Sequence, residues 1–159
     1  MGFLTGKTAI ITGAGRAVLK DGSCGSIGYG IATAYAKEGA NLVITGRNVR
    51  KLEAAKQELE SLYGIKVLTV QADVCAGGDN EATVANVVKQ AVDTFGGIQV
   101  LINNAQASAS GVPPAEHTTE QFDLAIYSGL YAAFYYMKAC YPYLAESHGS
   151  VINFASGAG

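Results

Sequence analysis

Short apolar runs rich in β-branched residues alternate along the chain with longer segments in which apolar residues recur every three or four positions. Most of the short runs are apolar almost throughout, as expected for strands that helices cover on both faces. Strands alternating with helices are typical of βαβ units on a parallel sheet. The predicted strands are residues 8–12, 41–45, 66–72, 99–103 and 150–154.

Four segments carry the helical spacing, and they lie between the predicted strands. Residues 27–38 place Ile27, Ile31, Ala34 and Tyr35 on one side and end before Gly39, a stop signal. Residues 49–63 and 81–95 each carry a single apolar stripe. Residues 119–144 are apolar nearly all round, so this helix needs cover on more than one side. Further chain of the same subunit and a neighbouring subunit are equally good candidates for that cover.

The order of these elements predicts one α/β domain over residues 1–159. We expect a Rossmann-like, doubly wound parallel sheet of about five strands in a three-layer αβα arrangement. In such sheets ligands bind at the carboxyl ends of the strands, where the strand order reverses. The loops after the first, fourth and fifth predicted strands are therefore the candidate site.

Composition narrows the class of partner. A formal charge of -2 with scattered Lys and Arg supplies no basic surface for nucleic acid. No apolar run approaches the roughly 20 residues that a membrane span needs, and no leader pattern opens the chain, so a cytoplasmic protein is expected. Three widely spaced cysteines without a CxxC pair fit neither a disulfide framework nor a zinc site, so no metal is expected.

Glycines follow the first predicted strand and return, after an insertion, where the next helix begins. Glycine lets the backbone approach a pyrophosphate closely, while the free N–H groups of the helix face the anion. A plain turn is the alternative, since glycines serve turns as well. The candidate cofactor-binding residues of this segment are Thr12, Gly13, Gly15, Ser26, Ile27 and Gly28.

The end of the second predicted strand bears on the choice of cofactor. No carboxylate stands there to accept bonds from an adenosine ribose, and Arg47 offers a planar donor set suited to a phosphate. NADP is therefore favoured over NAD, although Arg47 could simply face solvent. In the insertion, Arg16 and Lys20 either reach phosphate or are solvated loop charges.

Two motifs resemble the short-chain dehydrogenase/reductase family. The turn from Thr12 through Gly28 is similar to the family's TGxxxGxG, apart from a longer insertion over residues 16–24 and a serine at Ser26 where glycine is common. The run LINNAQ is similar to the family's NNAG after the fourth strand, with Gln106 in place of the glycine. The resemblance makes Asn104 and Ala105 candidate cofactor contacts, and Asn104 could equally tie strands together.

The resemblance assigns further roles. Asp73, with Val74 beside it, stands where the family meets the adenine ring, and a turn cap is the alternative for Asp73. Ser156 stands where the family places a catalytic serine, which would donate to a carbonyl oxygen as hydride arrives. Gly129 stands where the family's NLxG run has asparagine.

The family's proton donor is a tyrosine with lysine four residues later, and none of the nine tyrosines here has that partner. We therefore expect a truncated chain that is inactive as it stands. The resemblance implies hydride transfer between NADP(H) and a small-molecule carbonyl or alcohol substrate, including a 3-oxoacyl thioester. The apolar segment over residues 119–144 leads us to expect a homo-oligomer (dimer or tetramer). Two alternatives stay open. The run from Ser26 to Ala32 is similar to enoyl-thioester reductases, and the departures at Gln106 and Gly129 fit a non-catalytic NADP sensor.

Overall fold

The computed structural model describes residues 2–75 and 80–155. Five parallel strands form one sheet in the order β3-β2-β1-β4-β5, so the strand order reverses between β1 and β4. This arrangement confirms the predicted Rossmann-like α/β fold. The strands are β1 (Thr8–Thr12), β2 (Asn41–Gly46), β3 (Val67–Gln71), β4 (Val100–Asn103) and β5 (Ser150–Asn153).

Helices follow the first four strands and lie on both faces of the sheet. Those on the first face are α1 (Ile27–Lys37) and α2 (Val49–Tyr63), and those on the second are α3 (Asn80–Phe95) and α5 (Ala132–Ser147). A short 3-10 helix (Pro114–Glu116) and helix α4 (Thr119–Ile126) lie between β4 and α5. Within residues 2–75 and 80–155, no helix is long and apolar enough to cross a membrane.

Strand β1 shows how the sheet divides the core in two. Successive side chains of a strand point to opposite faces, so Ile11 packs with the cluster beneath α1 and α2, and Ile10 packs with the cluster beneath α3 and α5. Both isoleucines are fully buried. The continuous apolar character of β1 therefore reflects helical cover on both faces.

Helix α1 differs from its predicted pattern. The sequence placed Ile27 on the apolar stripe, but its side chain is 64% exposed. The buried positions are Gly28, Tyr29, Ala32 and Ala36. The stripe is displaced by about one position because the small residues Gly28 and Ala32 let the helix lie close against β1 and the turn after it.

Two further predictions need correction. The segment 119–144 is not one regular helix, because Tyr127–Tyr131 form a π-helical turn between α4 and α5. All four residues of β5 are exposed, whereas cover on both faces was expected. Strand β5 lies at the edge of the described sheet, next to β4 alone, and the described helices cover only part of it.

Candidate functional site

The ends of β1 and β4 are joined by hydrogen bonds through Thr12. Its Oγ1 accepts from the backbone N–H of Asn104 at 3.0 Å and from that of Ala105 at 2.9 Å. The Asn104 side chain donates in return to the Thr12 carbonyl at 2.9 Å. Thr12 is 2% exposed and the three bonds are part-buried, so they are largely shielded from water. The two strands therefore hold the loops at the switch point in fixed relation to each other.

The glycine turn brings the start of α1 against the end of β1. Gly13 has a φ of 71°, a left-handed conformation that favours glycine. A Cβ atom built on Gly28 would lie 2.2 Å from the Gly13 carbonyl oxygen, so only glycine fits there. Ser26 caps the helix by accepting from the N–H of Tyr29 at 3.4 Å. The result is a helix N-terminus with its backbone donors close to the switch point.

Three pockets open at this edge of the sheet. The β2 cleft, of about 230 Å³, lies between the glycine turn and the ends of β2 and β3. The β4 cleft, of about 360 Å³, lies between the ends of β4 and β5 and the helical segment around Ser128. The α2 pocket, of about 250 Å³, lies between the glycine turn and the start of α2.

The α2 pocket has a distinctive charge. Its lining contains Arg47 and Lys51, and none of the described residues that line it is a carboxylate. Asn48 lines it as well, and its side chain caps α2 by accepting from the Lys51 N–H at 3.1 Å. Two cations beside a helix N-terminus make this pocket suited to a phosphate group.

The predicted site residues divide by position. The β2 cleft is lined by Gly13, Arg47, Val74, Asn104 and Ala105, and the α2 pocket by Gly13, Gly15, Ser26 and Arg47. Thr12 lines the β4 cleft.

Three predicted residues line none of these pockets. Gly28 packs beneath the glycine turn, and Ile27 lines none of these three pockets. The carboxylate of Asp73 accepts from the N–H of Cys75 at 2.9 Å, as in the turn cap that was its alternative. Ser156 lies outside the described residues.

Sequence reasoning missed three residues that line these pockets. Lys51 lies one helical turn beyond Arg47, a spacing that could have indicated a shared pocket. Cys75 lines the β2 cleft, and burial raises the pKa of its thiol. Ser128 lines the β4 cleft and links it to the β4 loop, because its hydroxyl accepts from the Ala107 N–H at 2.9 Å.

Arg16, one of the two open cases in the insertion, has a partner that the sequence did not indicate. Its guanidinium pairs with the Glu58 carboxylate on α2 rather than extending as a free loop charge. The hydrogen bond to Glu58 raises the pKa of Arg16. The hydrogen bond from Tyr29, followed by that from Arg16, lowers the pKa of Glu58.

The switch-point crevice, the glycine turn and the sheet order together are the arrangement of a dinucleotide-binding fold. Residues 7–159 match the short chain dehydrogenase family. The chain belongs to that family. The expected resemblance is thereby confirmed over nearly the whole chain.

Two relatives show how far the similarity extends. The 12alpha-hydroxysteroid dehydrogenase of Clostridium sp. is 62% identical over 159 residues, which are 100% of this chain and 59% of that protein. An uncharacterized oxidoreductase of Bacillus subtilis, YhxC, is 38% identical over 154 residues, 96% of this chain and 49% of the relative. The chain thus spans about half to three fifths of the length of these relatives.

Solved structures share the fold and include complexes with both nicotinamide cofactors. L-sorbose reductase from Gluconobacter frateurii, complexed with NADPH and L-sorbose, has a TM-score of 0.80 at 30% identity, covering 95% of this chain and 52% of that one. NAD+-bound xylitol dehydrogenase has a TM-score of 0.84 at 27% identity, covering 98% of this chain and 55% of that one.

Proposed function

We propose that the complete protein is an NADP-dependent oxidoreductase that transfers hydride between NADP(H) and an alcohol or carbonyl substrate. The observation that carries the choice of cofactor is the α2 pocket, with Arg47 and Lys51 in its lining and no carboxylate among the described lining residues. An additional phosphate is attracted there, whereas the acidic residue typical of NAD sites would repel it.

The described residues fit a dinucleotide. Gly13 and Gly15 line the pockets beside the helix N-terminus without side chains that would fill them, and Gly28 lets the helix approach the turn closely. Gly13 and Gly15 would admit the pyrophosphate, Arg47 and Lys51 would hold the 2'-phosphate, and the β2 cleft beside Val74 would take the adenosine. When bound, the nicotinamide ring supplies the hydride acceptor or donor. Asp73 and Ile27, which line none of the three pockets, stay proposed contacts on the family resemblance alone.

The reaction side of the site is the β4 cleft. The hydrogen bonds of Thr12 with Asn104 and Ala105 fix the base of this cleft. The hydrogen bond of Ser128 fixes the β4 loop that follows these residues. We propose that Ser156 donates a hydrogen bond to the substrate oxygen, where negative charge grows during reduction. Residues 1–159 alone are expected to bind cofactor without turnover, because no tyrosine in them has the lysine partner.

We propose a hydroxysteroid as substrate, supported by the 62% identity to 12alpha-hydroxysteroid dehydrogenase. A non-steroid carbonyl compound, including a 3-oxoacyl thioester, is the competing substrate. The β4 cleft supports an apolar substrate, because Leu130, Ala133 and Tyr136 are among its lining residues.

The test is an assay of the complete gene product with NADP+ and NAD+ on a 12α-hydroxysteroid. NADPH oxidation with a 3-oxoacyl and an enoyl thioester is followed in parallel. Oxidation of the steroid with NADP+ supports the proposal. Turnover of the enoyl thioester alone favours the double-bond reductase, and tight NADPH binding without any turnover favours the sensor. Binding of neither cofactor removes the proposal.

A second measurement does not depend on turnover. Cys75 lines the β2 cleft, whereas Cys24 is exposed and lines none of the three pockets at the switch point. Bound NADP(H) is expected to slow the modification of Cys75 by a thiol reagent and to leave Cys24 reactive. Equal slowing or none at both thiols would argue against occupancy of this cleft.

We further propose a homo-oligomer that associates through α4, the π-helical turn and α5. Large apolar side chains are exposed along this segment, and such patches mark association surfaces. Sedimentation of the complete protein tests it, since a monomer at micromolar concentration would exclude the proposal. The exposed side chains are Phe122, Leu130, Tyr131, Phe134 and Tyr141.

A cytoplasmic location is supported by three free cysteines, as in a reducing compartment.

A further inference from the structure

The insertion between the two halves of the glycine turn forms a compact hairpin over residues 16–25. Val18 and Cys24 pair as an antiparallel bridge, and the N–H of Leu19 donates to the Ser23 carbonyl at 2.9 Å. At the base, the N–H of Gly25 donates to the Ala17 carbonyl at 2.7 Å. The hairpin is therefore an ordered element with its own hydrogen bonds.

The base of this hairpin is attached to α2. The backbone N–H of Arg16 donates to the Lys51 carbonyl at 2.8 Å, and the Arg16 side chain pairs with Glu58 two turns further along the helix. Glu58 also accepts from the hydroxyl of Tyr29 at 2.6 Å. Tyr29 is a residue of α1 and is 3% exposed. One carboxylate thus connects the hairpin, α1 and α2.

The base of the attached hairpin forms part of one wall of the α2 pocket. Ala17 of the hairpin and Gly15 of the glycine turn line the pocket, and so do Arg47 and Lys51. A Cβ atom built on Gly15 would lie 3.1 Å from Cβ of Lys51, so the two walls are already in close contact at the base. The width of the pocket therefore depends on where the hairpin is held against α2.

We propose that Glu58 is a positioning residue for the cofactor: through Arg16 it holds the hairpin as a wall of the α2 pocket and thereby sets the affinity for the phosphorylated adenosine end of NADP(H). This inference rests on the proposed function. Glu58 itself lines none of the three pockets at the switch point. Its effect on binding is therefore transmitted by the hairpin.

The rival explanation treats Arg16 as a phosphate ligand that Glu58 merely neutralises. The two explanations predict opposite signs. Removing Glu58 would free the guanidinium and tighten NADPH binding if Arg16 were the ligand. If Glu58 positions the wall, its removal would loosen the hairpin and weaken NADPH binding. The dissociation constant would rise about tenfold if the hairpin then stayed in its present position in about a tenth of the molecules.

The experiment uses the complete gene product and titrates NADPH and adenosine 2',5'-bisphosphate into the unsubstituted protein, Glu58→Ala and Arg16→Ala. Both variants are expected to bind both ligands about tenfold more weakly, and the double variant no more weakly than either single one. KM for NADP+ should rise by a similar factor while kcat at saturating NADP+ is unchanged. Exchanging the two residues, Arg16→Glu with Glu58→Arg, should restore most of the affinity.

The matched control is Asp93→Ala, which breaks an exposed ion pair with Lys89 on α3, away from the pockets at the switch point. Its dissociation constants should equal those of the unsubstituted protein. Glu58→Gln keeps an oxygen acceptor for Tyr29 and provides a second variant should the alanine substitution prevent folding. An intermediate loss of affinity is expected for it.

Unchanged or tighter binding in the Glu58 variants overturns the inference while the proposed function stands. Failure of the unsubstituted protein to bind NADPH overturns both. Additive losses in the double variant also overturn the inference, because they would show that Arg16 and Glu58 act on the ligand separately.

Discussion

A Cβ atom built on Gly129 would lie 3.4 Å from Nε2 of Gln106, so the Gln106 carboxamide occupies the space beside that glycine. Both residues depart from the family pattern, with glutamine in place of glycine after β4 and glycine in place of asparagine before α5. The structure shows that the two departures meet. An amide reaches the edge of the β4 cleft from the β4 loop rather than from the helical segment.

Gly129→Ala tests how firmly Gln106 is held. The three nearest atoms to the new methyl group, at 3.4–3.7 Å, all belong to the flexible Gln106 side chain, which can move by a few tenths of an ångström. Because alanine also favours the helical conformation by up to about 1 kcal/mol, we expect no loss in the free energy of unfolding. Urea denaturation measures it, and a loss well above about 1 kcal/mol would show that Gln106 is rigidly packed.

Gly28→Ala should have the opposite outcome. Its methyl group would lie 2.2 Å from the backbone oxygen of Gly13, which cannot move without displacing the turn. We expect a cost of about 3 kcal/mol or more, or no folded protein. Gly30→Ala is the control in the same helix, because its nearest neighbour is the Cys24 side chain at 3.3 Å. Similar thermal midpoints for the two variants would contradict this account.

Thr12→Val should destabilise the switch point. The substitution keeps the shape but removes the oxygen that accepts from the N–H groups of Asn104 and Ala105. These donors are part-buried, so leaving them unpaired should cost about 1 kcal/mol of unfolding free energy, the lower end of the penalty for a buried group. Thr12→Ser keeps the oxygen and should lose less. Equal losses in the two variants would mean that the methyl group, rather than the hydroxyl, stabilises this position.

Arg47→Ala should change the choice of cofactor. A charged hydrogen bond to a phosphate contributes about 1.5–3 kcal/mol, so the dissociation constant for NADPH should rise about tenfold to a hundredfold. NADH, which lacks that phosphate, should bind nearly unchanged. Isothermal titration of both cofactors measures the ratio. A loss that is equal for both would place Arg47 away from the 2'-phosphate.

The Glu58 carboxylate should contribute a pH-dependent part of the stability. Hydrogen bonds from Tyr29 and Arg16 lower its folded pKa below the ordinary value of 4.5. Stability from a lowered carboxylate pKa is fully present above the unfolded value and is lost as the pH falls through the folded pKa. Against Glu58→Gln, the native protein should have a higher urea midpoint at neutral pH, and the difference should vanish in acid. A constant difference would contradict the assignment.

The secondary structure could be predicted where the signals are local. Strand β1 and helix α2 have the predicted bounds, Thr8–Thr12 and Val49–Tyr63. Helix α2 also has its own end signals, since Asn48 caps the start and Gly64 ends it with a φ of 65°. Such elements are encoded by residues a few positions apart. The π-helical turn at Tyr127–Tyr131 has no comparable signal, so it was missed.

The candidate site could be predicted in part. The glycine turn and Arg47, which the sequence indicated by residue type and order, line pockets at the switch point, and their binding of phosphate stays a prediction. Lys51 and Cys75 were missed, since neither residue type is diagnostic outside its pocket. Ile27 was placed on the wrong face of α1, because apolar spacing alone cannot show how closely a helix approaches its sheet.

The sequence by itself determined the alternation of strands and helices, the position of the switch-point loops and the family. Only the tertiary structure decided that Arg16 pairs with Glu58, 42 positions away, and that Gln106 fills the space beside Gly129. The physical reason is the range of the interactions. Periodicity and capping act between neighbours in the chain, whereas these contacts exist only after the crossovers have brought distant segments together.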